Sequence, residues 1–235
     1  MRPLVCVLTY NEGPKLEVLL DRFPENPGYD LLFIDDGSTD GSAEIPGRRG
    51  YTVVSHESNL GVGAGIRSSI RFARDNGYDV LVVMAGNGKM RPDEIPRLIR
   101  PIENGHADYV QGSRYLKGGR SPNLPLLRRV MIRWFTRLVS LAMGAKATDI
   151  TCGFRAYRLT ILDHPDIDID QDWLDRYEME YYVHYKVIKH GVPMVEVPVS
   201  MIYPESRRNY SKIRPVTGWW SMIRPWVFLI LGLRK

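Results

Sequence analysis

The sequence predicts an α/β fold built on a doubly wound, mostly parallel sheet, and three observations predict it. Short apolar runs of the buried-strand kind alternate with helical stretches from residue 4 to residue 84. Polar clusters end the first, second and fourth runs, at Thr9–Glu12, Asp35–Asp40 and Ala85–Lys89, where an open α/β sheet binds its ligands. With 235 residues, 44% of them hydrophobic, the chain can bury one full core.

Taken in order, Leu4-Val-Cys-Val-Leu8 is continuously apolar, as a strand covered on both faces should be. A helix over about Pro14–Phe23 follows, with Leu16, Leu19, Leu20 and Phe23 on one face. Leu31–Ile34 is the second strand and Thr52–Val54 the third. Asn59-Leu-Gly-Val-Gly-Ala-Gly65 opens a helix that runs through Asp75, and Val80–Met84 is the fourth strand. The glycines at 61, 63 and 65 match neither G-x-G-x-x-G nor a P-loop, so they are expected to permit close backbone approach. Asp35 and Asp36 are adjacent, which makes it hard for both to face one ion. One carboxylate is expected to accept hydrogen bonds from a base or ribose, although the segment also reads as a plain turn.

Charge is unevenly distributed on a chain of net charge +5. Residues 113–137 hold seven Lys/Arg and no Asp or Glu, and residues 201–235 hold seven Lys/Arg against Glu205 alone. Two basic segments on an otherwise acidic body imply an anionic partner. No aromatic-stacking nucleic-acid module accompanies them, so nucleic acid is not expected. The helix expected over Leu126–Met143 interleaves Leu127, Trp134 and Leu138 with Arg128, Arg129, Arg133 and Arg137, a basic amphipathic pattern suited to an anionic membrane surface. In the tail, the unbroken apolar run Trp226–Leu233 is too short to span a bilayer, which takes roughly 20 residues. The tail is expected to lie in the membrane interface; packing on the body is the alternative. Two cysteines and a strand beginning at Pro3 set the expectation of a reduced, cytoplasmic protein without a secretory signal.

The motifs together resemble family 2 glycosyltransferases of GT-A fold. Thr9-Tyr-Asn-Glu12, Asp35-Asp-Gly-Ser38 and the glycine-containing 59–65 segment carry the general likeness. Gly112-Ser-Arg-Tyr115, Asp149-Ile-Thr-Cys-Gly-Phe-Arg-Ala-Tyr157, Glu178-Met-Glu180 and Ser211-Lys212 are similar to the dolichol-phosphate mannosyltransferase and polyprenyl-phosphate sugar transferase branch. The resemblance implies a Rossmann-like, mixed sheet flanked by helices, with a GT-A domain over residues 1–213. Residues 1–110 would be its nucleotide-sugar half, 111–213 its acceptor half, and 214–235 an amphipathic interface tail. It implies donor binding by Thr9, Tyr10, Glu12, Asp35 and Asp36, and by the segment Ala85, Gly86, Asn87 and Lys89.

That last segment departs from the family, whose Asp-x-Asp pair holds Mg²⁺ or Mn²⁺ against the donor diphosphate. Here the pair reads Ala85 and Asn87, and a cation, Lys89, stands where the family has Gln. Hard divalent ions prefer anionic oxygens, and Asn87 offers only a neutral carbonyl. Three readings stay open: Lys89 supplies part of the metal's charge, a weak metal site persists on Asn87, or catalysis is lost. Arg114, Arg128, Arg129, Arg207, Arg208, Ser211 and Lys212 match acceptor-phosphate positions, where guanidinium forks suit phosphate. Asp149 and Glu180 are candidates to orient hydroxyls, Asp149 alternatively capping a turn. The implied reaction is inverting transfer from a nucleotide sugar to a polyprenyl phosphate. A soluble or cell-wall glycan acceptor, or a non-catalytic binding protein, remain the other readings.

Overall fold

The computed structural model describes residues 1–205 and 217–234. In chain order the elements are β1 (Pro3–Thr9), α1 (Gly13–Leu20), β2 (Asp30–Asp35), α2 (Glu44–Arg48), β3 (Thr52–Ser55), α3 (Val62–Asp75) and β4 (Val80–Ala85). They continue with α4 (Ile95–Glu103), β5 (Tyr109–Ser113), α5 (Leu126–Met143), β6 (Arg155–Arg158), α6 (Glu178–Lys189), β7 (Met194–Pro198) and α7 (Thr217–Ile230). The sheet has seven strands in the order β3-β2-β1-β4-β6-β5-β7. All neighbours run parallel except β6, which lies antiparallel between β4 and β5.

Alternation along the strands sends side chains into two cores, because successive residues point to opposite faces. Leu4, Cys6, Leu81 and Val83 pack with Ile66 and Ile70 of α3 and with α6. Val5, Val7, Val82 and Met84 pack on the other side with Leu16 and Leu19 of α1 and Ile95, Leu98, Ile99 and Ile102 of α4. The expected first helix ends at Leu20, earlier than Phe23. The amides of Arg22 and Phe23 close 3₁₀-type bonds to Leu19 and Leu20, and Pro24 disfavours helical geometry at Phe23.

Gly63 shows why that glycine run is needed. A Cβ there would lie 1.9 Å from the Leu174 carbonyl oxygen and 2.6 Å from that of Arg176, while the Ala64 amide donates to the Asp175 carbonyl at 3.0 Å. Helix α3 thus carries the 174–176 loop in direct backbone contact. Gly63→Ala is expected to cost at least about 1–3 kcal/mol by forcing the two backbones apart; a thermal melt matching the parent's would refute it.

The tail is not a separate appendage. Met222, Trp226 and Leu229 of α7 belong to the core that contains Leu4 and Leu81. The Trp226 ring is 1% exposed, against Tyr181, His184 and Tyr185 of α6. Arg224 pairs with the fully buried Glu178, and the Tyr185 hydroxyl donates to the Leu229 carbonyl at 3.0 Å. This face of α7 packs on the body, the alternative expected for the tail, while Trp220 and Ile230 of α7 and Leu231 and Leu233 after it remain exposed. No described helix is long and apolar enough to cross a membrane.

Both thiols are interior, and burial pushes each up to about 12. At pH 8 only about one in ten thousand would be thiolate, the reactive form. Neither Cys6 nor Cys152 is therefore expected to react with DTNB in the native protein, and both should react in guanidinium; rapid labelling before denaturation would contradict this.

Candidate active site

A cavity of about 780 Å³ opens beyond the carboxyl ends of β1, β2 and β4. It forms there because the strands stop and their loops diverge, the usual ligand position in an open α/β sheet. The first two loops are knitted together. Asn11 turns the chain at φ +49°, its side-chain oxygen accepts the Thr39 amide at 2.8 Å, and the Glu12 and Gly13 amides donate to the Ser42 hydroxyl at 2.9 and 2.8 Å. This brings Thr9, Tyr10 and Glu12 to the cavity wall, with Glu12 accepting from Lys15 at 2.9 Å. The Thr9 hydroxyl is turned inward and donates to the Ile34 carbonyl at 3.0 Å.

The two adjacent aspartates diverge. Asp36 lines the cavity and accepts the amides of Leu60 and Gly61, both at 2.9 Å, while its Oδ1 lies 2.8 Å from Nδ1 of His56. It therefore anchors the entry to α3, where backbone N–H groups would otherwise lack partners. Asp35 is not in the wall; its Oδ2 accepts the Ser38 amide at 3.1 Å and its buried Oδ1 has no hydrogen bond. The placement revises the expected Asp35–Asp36 pair to Asp36 alone on the cavity side.

Ala85, Asn87 and Lys89 line the wall, and Gly86 lies behind it. A Cβ on Gly86 would meet Thr9 Cγ2 at 2.6 Å, so glycine there lets β4 and β1 close up. Asn87 Oδ1 accepts the Lys89 amide at 3.2 Å. The Lys89 carbonyl accepts the Ile202 amide at 2.8 Å, and its ammonium stands 5.3 Å from the centre of the Tyr203 ring. Among the described residues, no three His, Cys, Asp or Glu side chains in the cavity converge as ion ligands. With Ala85 in one Asp position and the Asn87 oxygen accepting the Lys89 amide in the other, this loop offers a Mg²⁺ or Mn²⁺ no carboxylate.

Arg114 touches the cavity yet is 4% exposed. Its Nε and one Nη donate to the two Asp149 oxygens at 2.7 and 2.8 Å. Further bonds go to Thr151 Oγ1 at 2.6 Å and the Tyr203 hydroxyl at 2.8 Å. The Asp149 charge beside it, against the opposing effect of burial, holds this guanidinium well above its ordinary pKa. The amides of Thr148 and Asp149 are fixed in turn by Glu196. Arg114 and Asp149 thus form one buried ion pair, and the guanidinium both reaches the cavity and donates to the Tyr203 hydroxyl.

Arg128, on the first turn of α5, lines the cavity, whereas Arg129 does not and reaches back toward the Ser121 carbonyl. Glu180 lines the wall across Gly153, where a Cβ would come within 2.7 Å of its carboxylate. Burial raises its carboxyl above the ordinary value, opposed by Arg155, which donates to the Cys152, Ile150 and Glu180 carbonyls. Arg207, Arg208, Ser211 and Lys212 lie outside the described residues. Lys15, Arg22 and Arg176 also line the cavity and were not anticipated. Lys15 stands on α1 and Arg22 in the 3₁₀-type turn that follows it, and their i, i+7 spacing is a signal that could have found them; Arg176 sits in a loop with no motif.

Residues 4–164 match the model of Glycosyl transferase family 2. The chain is 33% identical to an undecaprenyl-phosphate mannosyltransferase of Micrococcus luteus, over 87% of this chain and 85% of that protein. It is 31% identical to a polyprenol monophosphomannose synthase of Mycolicibacterium smegmatis, over 91% and 83%. Its structure resembles that of glucosyl-3-phosphoglycerate synthase from Mycobacterium tuberculosis, solved in complex with Mn²⁺, UDP and phosphoglyceric acid. The TM-score is 0.71 at 16% identity, covering 100% of this chain and 80% of the other. The mixed, mostly parallel sheet is thus a GT-A sheet.

Proposed function

The chain belongs to glycosyl transferase family 2, and from that premise we propose that this glycosyltransferase moves a sugar from a nucleotide-sugar donor to a polyprenyl phosphate at a membrane surface. The observation that carries the reading is a single cavity in which Glu12, Asp36 and Lys89 meet Arg128, Arg176 and the apolar Ile132 and Met222. The first group suits a nucleoside and its diphosphate. The second suits a phosphate attached to a hydrocarbon chain. The names of the two bacterial relatives support the polyprenyl acceptor and a mannosyl donor.

The acceptor phosphate is already anionic, so its oxygen attacks the anomeric carbon without a strong general base. Attack from the face opposite the departing nucleoside diphosphate inverts the centre, and positioning and charge stabilisation supply most of the catalysis. Lys89 neutralises charge that builds on the leaving diphosphate. Arg128 holds the acceptor phosphate, and Glu180, whose carboxyl burial raises above its ordinary value, orients a hydroxyl of sugar or acceptor. The exposed face of α5 supports contact with the cytoplasmic leaflet: Leu127 is 73% exposed, Trp134 60% and Leu141 80%, with Arg133 and Arg137 exposed beside them.

The test is transfer to a short polyprenyl phosphate from a panel of nucleotide sugars, mannosyl donors first, with Mg²⁺, Mn²⁺ or EDTA. Transfer that survives EDTA is expected. Activity only with metal would overturn the charge substitution. Transfer only to soluble glycans would overturn the acceptor, and no transfer from any donor would overturn the whole reading.

A further inference from the structure

The far end of α6 carries a second group of ligating side chains, about 15 Å along the helix from Glu180. His190 sits at the C-cap of α6, and His164 and Asp166 come from the tight turn after the 3₁₀ segment Leu159–Asp163. None of the three lines the cavity. The His164 and His190 rings are 4.0 Å apart at 32°, and one ligand atom from each of the three residues falls within 4.8 Å of the others. His190 Nε2 is buried without a hydrogen bond, standing 3.6 Å from Asp166 Oδ2. That is too long for a hydrogen bond, and a buried polar atom left without a partner calls for an explanation such as an ion.

The turn is held in place for such a role. The Lys186 ammonium donates to the Asp166 carbonyl, the Asp168 amide donates to the Tyr182 hydroxyl at 2.8 Å, and the Ile167 amide closes on the His164 carbonyl at 2.8 Å. Supporting contacts of this kind fix ligand direction and strengthen metal sites. His164 and Asp166 are exposed, so small side-chain rotations can draw the three atoms together. Two imidazoles and one carboxylate match the preferences of borderline divalent ions, not those of Mg²⁺ or Ca²⁺, which select all-oxygen sets.

We propose that His164, Asp166 and His190 form a binding site for a borderline divalent cation of the Zn²⁺ class, separate from the transferase cavity. A bound ion, at about 2.0–2.2 Å from each ligand, clamps the 164–166 turn to the end of α6. Because α6 carries Glu178 and Glu180 at its other end, the clamp stabilises the helix that forms one cavity wall.

The experiment is calorimetric titration of the full, metal-stripped chain, free of any histidine tag, with Zn²⁺, repeated with Co²⁺ followed by its visible absorption. One equivalent is expected to bind, and Zn²⁺ should raise Tm, since binding to the folded state stabilises it. His164→Asn and His190→Asn should each weaken binding about tenfold or more, in line with losses seen when metal sites lose a supporting group. Asp166→Asn should weaken it less, and His106→Asn, outside the cluster, should change nothing. The variants are compared only where metal-free Tm and near-UV circular dichroism match the parent. Unaltered affinity in both histidine variants, or no saturable binding by the parent, would overturn the site; the transfer assay is independent of either result.

Discussion

An Arg114→Ala protein is expected to melt roughly 10 °C below its parent. Removing one partner of a buried ion pair costs about 3–5 kcal/mol, because the other charge is left uncompensated. For a chain of this size each kcal/mol moves Tm by about 2–4 °C. Asp149 is fully buried, and once Arg114 is gone its carboxylate keeps the Arg114-position amide, the Thr151 groups and nothing cationic. Asp149→Asn should fall by a similar amount, stranding the guanidinium. Arg114→Met with Asp149→Leu should recover most of the loss, since a pair replaced by apolar groups of similar volume is often close to neutral. Differential scanning calorimetry on the three proteins decides it. If Arg114→Ala melts like the parent while acceptor affinity collapses, the arginine is a phosphate ligand and the ion-pair account fails.

Lys89→Ala is expected to lower kcat by about 100-fold or more, the usual cost of removing one preorganised group that meets developing charge. Affinity for polyprenyl phosphate vesicles should not change, since Lys89 stands on the nucleotide side of the cavity in this reading. Added Mn²⁺ should not restore the rate, because Ala85 and Asn87 offer an ion no carboxylate. The melting temperature should stay near the parent's, as the half-buried side chain fills no core. Steady-state rates with and without metal measure this, and a variant within twofold of the parent would sink it. Tyr203→Leu offers a finer check: losing the ring beside the ammonium should lower kcat without altering metal independence.

Most of the fold and part of the site are legible in the amino-acid sequence, and the physical reasons differ by region. The parallel strands β1, β2 and β4 are covered on both faces, so their apolar runs stand out at any register, and the loops that follow them carry the cavity. Helix α5 is readable from Leu126 to Met143 because Pro125 precedes it and Gly144, at φ +63°, ends it in left-handed geometry. The fate of Arg114 is not legible. Its motif looks the same whether the guanidinium meets a ligand or a carboxylate from residue 149, and only tertiary contact distinguishes them. Asp35 and Asp36 hide their divergence in the same way, since which one faces a cavity depends on the β2 register. The tail is ambiguous in sequence because Trp and Arg in one helix suit a lipid interface and a buried ion pair equally well. Glu178, which takes Arg224, lies far upstream in sequence.

The placement of β6 bears on how the protein is made. During synthesis β1 to β4 emerge first and can pair at once, but β5 cannot join them, because its seat beside β4 is separated by β6. Until residues 155–158 leave the ribosome, on the order of seconds later at usual elongation rates, the outer edge of β4 is an open ladder of apolar residues. Val80 to Met84, buried in the finished molecule, would then be exposed to other nascent chains. The nascent protein is therefore expected to depend on chaperone protection in that interval, and pausing translation between β4 and β6 should raise its aggregation.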